Sequence, residues 1–284
     1  MKYELKRKSM KLGISIDVDN FEIFKKHLNA AAEAGYEYCQ LFYRDDDLTE
    51  ARAKEIKQMC DDKNVKIGPV GGYISGVKPE ERTMNFDLDK LFNLIDLMPI
   101  LGSKEVLIWS GTLSDVHMFH PDEKNQTDEA FEKLTETCGN ILDKLASING
   151  ELAIETFFTH IIHDEKTFLK LKEKLNNDRL KVVMDPPNYM TVPKFNEEKE
   201  TLTNLFKTMQ NDISMIHFKD IKRRDDESWP FDYPGPGDGE MNYPHLMKLI
   251  EQFTPNVWGI IEHVGPDEFK KAKSFLDKQM QVNV

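Results

Sequence analysis

Short apolar runs rich in β-branched residues alternate regularly with longer stretches of helical periodicity, and this alternation constrains the fold more than any other feature. The runs are KLGISID from Lys11, EYCQLFY from Glu37, KIGPVGG from Lys66, EVLIWSG from Glu105, ELAIET from Glu151, KVVMDP from Lys181, ISMIHFKD from Ile213 and VWGIIEH from Val257. Between them lie amphipathic segments such as FEIFKKHLNAAAEAG, DLDKLFNLIDLMPILG and EAFEKLTETCGNILDKLASING, ending at glycines suited to a left-handed helix terminus. Repeated strand–helix units predict a parallel sheet covered by helices. An open doubly wound sheet usually carries a Gly-rich phosphate turn after its first strand, but here that turn reads DVDNFE. Eight units without a break favour an α/β chain closed into a single (β/α)8 barrel, a fold of about 250 residues. One domain over residues 1–284 is therefore expected.

Two stretches are too long for simple connections. SDVHMFHPDEKNQTD follows the fourth strand and IKRRDDESWPFDYPGPGDGEMNYP follows the seventh. Both leave strand C-terminal ends, where barrels of this class build their active sites, so they are candidate lids or substrate walls.

Charge and cysteine usage narrow the function classes. A net charge of −12 repels nucleic-acid backbones and anionic lipid, so neither nucleic acid nor membrane is expected as a partner. The cluster Lys222, Arg223 and Arg224 reads as a solvated loop. Cys39, Cys60 and Cys138 show no paired spacing, consistent with a reducing compartment. The basic N-terminus is followed by neither a signal-peptide core nor a membrane-length apolar run, so a cytoplasmic location is expected.

Polar groups at strand C-terminal ends of a barrel converge on one mouth even when distant in sequence. Glu155, Asp185, His217 and Glu262 fall at the ends of four consecutive strands. An isolated carboxylate is as readily a buried ion pair or a loop cap, but a polar group on each of four successive strands weakens that reading. Carboxylates with one imidazole suit one divalent ion, with Mn²⁺, Mg²⁺ or Co²⁺ favoured and Zn²⁺ as the alternative.

The segments LAIET, VVMDPPNY, MIHFKD, PGPGDGEMNYP and GIIEH, in this order, resemble the xylose isomerase-like sugar isomerase and epimerase superfamily. That superfamily includes ketose 3-epimerases and, more distantly, endonuclease IV. The resemblance implies that Glu155, Asp185, His217 and Glu262 bind the metal, and that Glu155 and Glu262 also transfer protons. It further implies a small carbohydrate substrate and assembly as a homodimer or homotetramer. Asn188 stands where ketose 3-epimerases commonly carry a histidine, and so departs from that pattern.

Substrate contacts are expected from Asn188, Lys219, Arg223, Arg224, His160 and Trp109. For Asn188 the alternative is a loop cap, and for Lys219 an ion pair with a carboxylate of the site. For Trp109 it is core packing. His163, His117 and His120 are further loop histidines near the mouth, and Phe42 is a second aromatic candidate there. The leading expectation is a metal-dependent isomerase or epimerase of a sugar, sugar phosphate or polyol derivative, acting by proton abstraction beside a carbonyl. The alternatives are an inosose-type dehydratase on the same metal, an abasic-site endonuclease and a non-catalytic sugar-binding barrel.

Overall fold

The β-branched runs extend because crowded Cβ atoms pack well on a pleated surface, and each is buried on both faces as a parallel sheet requires. In a computed structural model, which describes residues 10–224 and 229–282, these runs form β1 (Lys11–Val18), β2 (Tyr38–Tyr43), β3 (Lys66–Ser75), β4 (Glu105–Trp109), β5 (Glu151–Glu155), β6 (Leu180–Met184) and β7 (Ile213–Phe218). A two-residue ribbon follows, β8 (Lys222–Arg223) with β9 (Phe231–Asp232), and then β10 (Trp258–Ile261). The parallel strands close in the order β1-β10-β7-β6-β5-β4-β3-β2. The expected barrel is thus formed, with the ribbon outside it. The basic residues before Met10 and the acidic stretch at 225–228 lie outside the described residues.

The helices are α1 (Phe21–Glu33), α2 (Glu50–Asp62), α3 (Leu88–Leu101), α4 (Asp128–Ala146), α5 (Glu165–Leu175), α6 (Val192–Asn196), α7 (Glu198–Met209), α8 (Tyr243–Phe253) and α9 (Phe269–Val282). Side chains of Asn20, Thr49, Asp87, Thr127 and Asp164 accept N–H bonds at their starts, satisfying donors that the first turn leaves unpaired. Gly102 ends α3 at φ +77°, as its position predicts. After α4 the left-handed residue is instead Asn149, at φ +50°. Gly150 serves close packing there, since a Cβ would meet Leu145 Cδ2 at 2.8 Å. No helix among the described residues is long and apolar enough to cross a membrane.

Two buried layers follow from strand alternation. Outward side chains pack against the helices, while Leu107, Ala153, Val183, Met215 and Ile260 fill the barrel interior as a separate cluster. Each of these interior residues lies two positions before a residue at the mouth: Trp109, Glu155, Asp185, His217 and Glu262. A period of two keeps both members of each pair facing inward. The candidate metal ligands are thus the layer directly above the apolar plug.

Both insertions fold over this mouth. In the first, buried Asn125 donates to Thr112 Oγ1 at 2.8 Å and to the Thr159 carbonyl at 2.9 Å. In the second, Asp220 accepts from the backbone N–H groups of Ile221, Gly237 and Met241. Gly239 lies so close to Asp220 and the Ile221 carbonyl that a Cβ would collide with both. Of the two residues following His217-Phe218, Asp220 therefore organises the loop, and Lys219 turns into the mouth.

Candidate active site

Glu155, Asp185, His217 and Glu262 each present a ligand atom within 4.8 Å of the others. His217 and Asp185 are fully buried, and Glu155 nearly so. His217 Nε2 lies 3.0 Å from Gln40 Oε1. An amide oxygen only accepts, so Nε2 carries the proton and Nδ1 faces Glu262 Oε2 at 3.1 Å, Glu155 Oε2 at 3.7 Å and Asp185 Oδ2 at 3.9 Å. Both His217 Nδ1 and Asp185 Oδ1 are buried without a hydrogen-bond partner. Unpartnered donor atoms converging on a buried acidic group fit a divalent ion.

The same crowding sets the electrostatics. Burial opposes the charged form of His217, but Glu262 and Glu155 outweigh it and push the imidazole up to about 9. Asp185 is raised well above the ordinary carboxylate range, chiefly by burial. Burial would raise Glu262 as well, but the Lys219 and His217 charges hold it well below that range. Lys219 Nζ bridges Asp185 Oδ2 at 2.7 Å and Glu262 Oε1 at 2.8 Å. The ion pair expected as its alternative role is thus formed with two carboxylates at once, while Lys219 also borders the cavity.

Asn188 lies on the short turn after β6 and donates from Nδ2 to Glu155 Oε1 at 2.9 Å. It also lines the cavity above the ligands, as does Trp109. That cavity has a volume of about 710 Å³. Its wall includes Asp17 on β1, Arg44 just after β2 and Tyr73 on β3, none of which the sequence singled out. Alternation along β1 and β2, which turns Asp17 inward and continues from Gln40 and the expected Phe42 to Arg44, was the signal available for two of the three.

Three expected substrate contacts sit elsewhere. Arg223 and Arg224 leave the barrel on the outer ribbon. Arg223 donates to Asn196 Oδ1 at 2.9 Å and lies over the Phe195 ring, and Arg224 faces Asp232 at 3.3 Å. Neither belongs to the cavity wall. His160 stands behind that wall, stacked on Phe119 and 2.9 Å from the Met118 carbonyl. Burial pushes its imidazole down to about 4, so it is neutral and donates through Nε2. It borders a smaller neighbouring recess, as do His117 and Trp109.

A family model described as xylose isomerase-like TIM barrel matches residues 28–279. No curated protein shows a significant sequence match. Among solved structures, a xylose isomerase domain protein from Planctomyces limnophilus superposes with a TM-score of 0.71 at 14% identity, covering 97% of this chain and 96% of the other. An L-ribulose 3-epimerase gives 0.71 at 12% identity, with coverages of 96% and 95%. An IolI protein with a bound zinc atom gives 0.68 at 14% identity, with coverages of 97% and 99%. At such identities the structural likeness establishes the shared fold.

Proposed function

Because the chain belongs to the xylose isomerase-like TIM barrel family, we propose that it is a metal-dependent isomerase or epimerase of a small carbohydrate. One observation carries the reading: two carboxylates of the ligand group, Glu155 and Glu262, also border the cavity and are held by different partners, Asn188 and Lys219. Two independently oriented carboxylates at one mouth suit removal of a proton from carbon and its return.

Glu155, Asp185, His217 and Glu262 would hold the ion. Three carboxylates favour Mn²⁺, Mg²⁺ or Co²⁺, and the zinc of the IolI neighbour keeps Zn²⁺ as an alternative. When bound, a divalent ion supplies Lewis-acid polarisation of a carbonyl and its neighbouring oxygen. Gln40 holds the imidazole tautomer. Lys219 offsets negative charge between Asp185 and Glu262, and Asn188 fixes the Glu155 carboxylate. Glu155 and Glu262 share the acid and base roles: return of the proton to the opposite face inverts one centre, and return to the adjacent carbon interconverts aldose and ketose.

The test is a solvent-deuterium exchange screen of sugars with protein loaded in turn with each ion. Metal-dependent exchange at a carbon beside a carbonyl supports the proposal. Loss of a β-hydroxyl with formation of an enone assigns a dehydratase instead. Sugar binding without exchange in any loaded form sinks the enzymatic reading.

A further inference from the structure

The cavity wall carries its own information about the substrate. Its described cationic residues are Arg44 and Lys219, and each is already committed to two carboxylates. Arg44 pairs with Asp17 at 3.0 Å and with Asp19 at 3.1 Å, and Lys219 with Asp185 and Glu262. His263, also on the wall, directs Nδ1 at the Tyr233 carbonyl at 2.8 Å and Nε2 at Glu262 Oε1 at 3.6 Å. The described acidic groups there are the carboxyl groups of Asp17, Glu155 and Glu262. Apart from a bound ion, whose charge the ligand carboxylates offset, a phosphate or carboxylate on the substrate would meet these acids with Arg44 and Lys219 already paired, a repulsive arrangement.

One side of the same cavity is a run of aromatic rings. Phe42 and Tyr73 lie 4.7 Å apart between centroids, Tyr73 and Trp109 4.6 Å, Trp109 and Phe119 5.2 Å, and Phe119 and Phe157 4.8 Å. Trp229 continues the run, 6.0 Å from Phe157 and inclined to it by only 8°. All six line the cavity. Its volume, about 710 Å³, lies within the roughly 300–1,000 Å³ of sites that enclose drug-sized ligands. A single pyranose is much smaller than such a ligand and faces only one or two of these rings.

We propose that the cavity takes an uncharged glycoside. Its reacting ring lies over Glu155 and Glu262, and its second ring lies along the aromatic run toward Trp229. This inference rests on the carbon-acid chemistry proposed above. A glycosidic bond locks the anomeric carbon as an acetal, so the activating carbonyl belongs to another ring carbon. The proton leaves the neighbouring carbon for a carboxylate and is returned, without net oxidation or reduction. The reaction that supplies such a substrate is therefore oxidation of a ring hydroxyl in a glycoside.

A matched series tests this with Mn²⁺-loaded protein: a phenyl glucoside oxidised at one ring carbon, the same oxidised sugar without its aglycone, and that sugar's 6-phosphate. Deuterium exchange should favour the glycoside at least tenfold in kcat/KM, with the phosphate slowest. A second measurement is calorimetric binding of unoxidised phenyl glucoside, glucose and glucose 6-phosphate to metal-free and loaded protein. Phenyl glucoside should bind at least tenfold more tightly than glucose. Trp229→Ala should abolish that preference and Trp229→Phe should keep it, which separates loss of the ring from misfolding. Equal or better handling of the free sugar or the phosphate, in exchange or in binding, overturns the glycoside assignment while leaving the proposed chemistry intact. If no compound exchanges, the chemistry fails, and the binding series still decides the nature of the wall.

Discussion

Gln40 on β2 and His217 on β7 meet inside the barrel with Oε1 and Nε2 3.0 Å apart, which holds the ring so that Nδ1 faces three carboxylates. Removing such a partner typically costs 10- to 100-fold in metal affinity. Gln40→Ala should therefore weaken Mn²⁺ binding by about that factor. Calorimetry reads the constant directly, and an unchanged value would show that Gln40 does not orient the ligand.

The glutamates separate from Asp185 by what each variant loses. Glu155→Gln and Glu262→Gln should lower the exchange rate by about 10²- to 10⁴-fold at saturating metal, the usual contribution of a positioned acid or base. Asp185→Asn should chiefly reduce occupancy, with activity recovering as metal is added. Near-normal exchange in both glutamate variants would contradict the proton-transfer roles.

Metal uptake should release protons. Glu262 and Glu155 push His217 up to about 9 in the metal-free protein, whereas coordination requires an unprotonated Nδ1. Between neutral pH and about 9 the apparent affinity should rise, by up to about tenfold per pH unit for one displaced proton, and level off above. Calorimetric titrations in buffers of different ionisation enthalpy count the protons, and a pH-independent constant would contradict this.

At the opposite end of the barrel, Glu105 is buried and accepts a hydrogen bond from Ser214. Burial raises its carboxyl from 4.5 to about 7, although the Ser214 bond opposes the shift. A carboxyl that holds its proton more tightly when folded contributes stability at low pH, and that contribution is lost as pH rises from about 4.5 through about 7. Glu105→Gln should accordingly gain on the wild type across this window, by up to about 3 kcal/mol at pH 8. Denaturant unfolding at pH 5 and pH 8 makes the comparison; the same difference at both values would show that Glu105 does not titrate as described.

The convergence of Glu155, Asp185, His217 and Glu262 was legible because each lies at the end of its own apolar strand, and strand direction carries all four to one mouth. Gln40 and Asp17 lay inside ordinary-looking strands, and only the period of two on β1 and β2 marked them as inward. Asn188 and Lys219 were legible as polar neighbours, but which groups they bond depends on how the barrel is staggered. Arg223 and Arg224 were misleading for a related reason. Their distance from His217 along the chain is short, but the loop tied down by Asp220 sends them onto the outer ribbon. The rings of Phe119, Phe157 and Trp229 come together only when three connections, after β4, β5 and β7, fold toward one another.

The tetrapeptide from His217 to Asp220 joins three mechanically distinct parts of the molecule. Its first residue belongs to the floor of converging carboxylates, its third to the charge balance between two of them, and its fourth anchors the connection that carries Trp229 and Tyr233. A small displacement at the end of this one strand would reach floor, charge and wall together. Variation in the shape of the cavity would therefore find its freedom beyond Asp220, where the connection can be redrawn without disturbing the four converging polar residues below it.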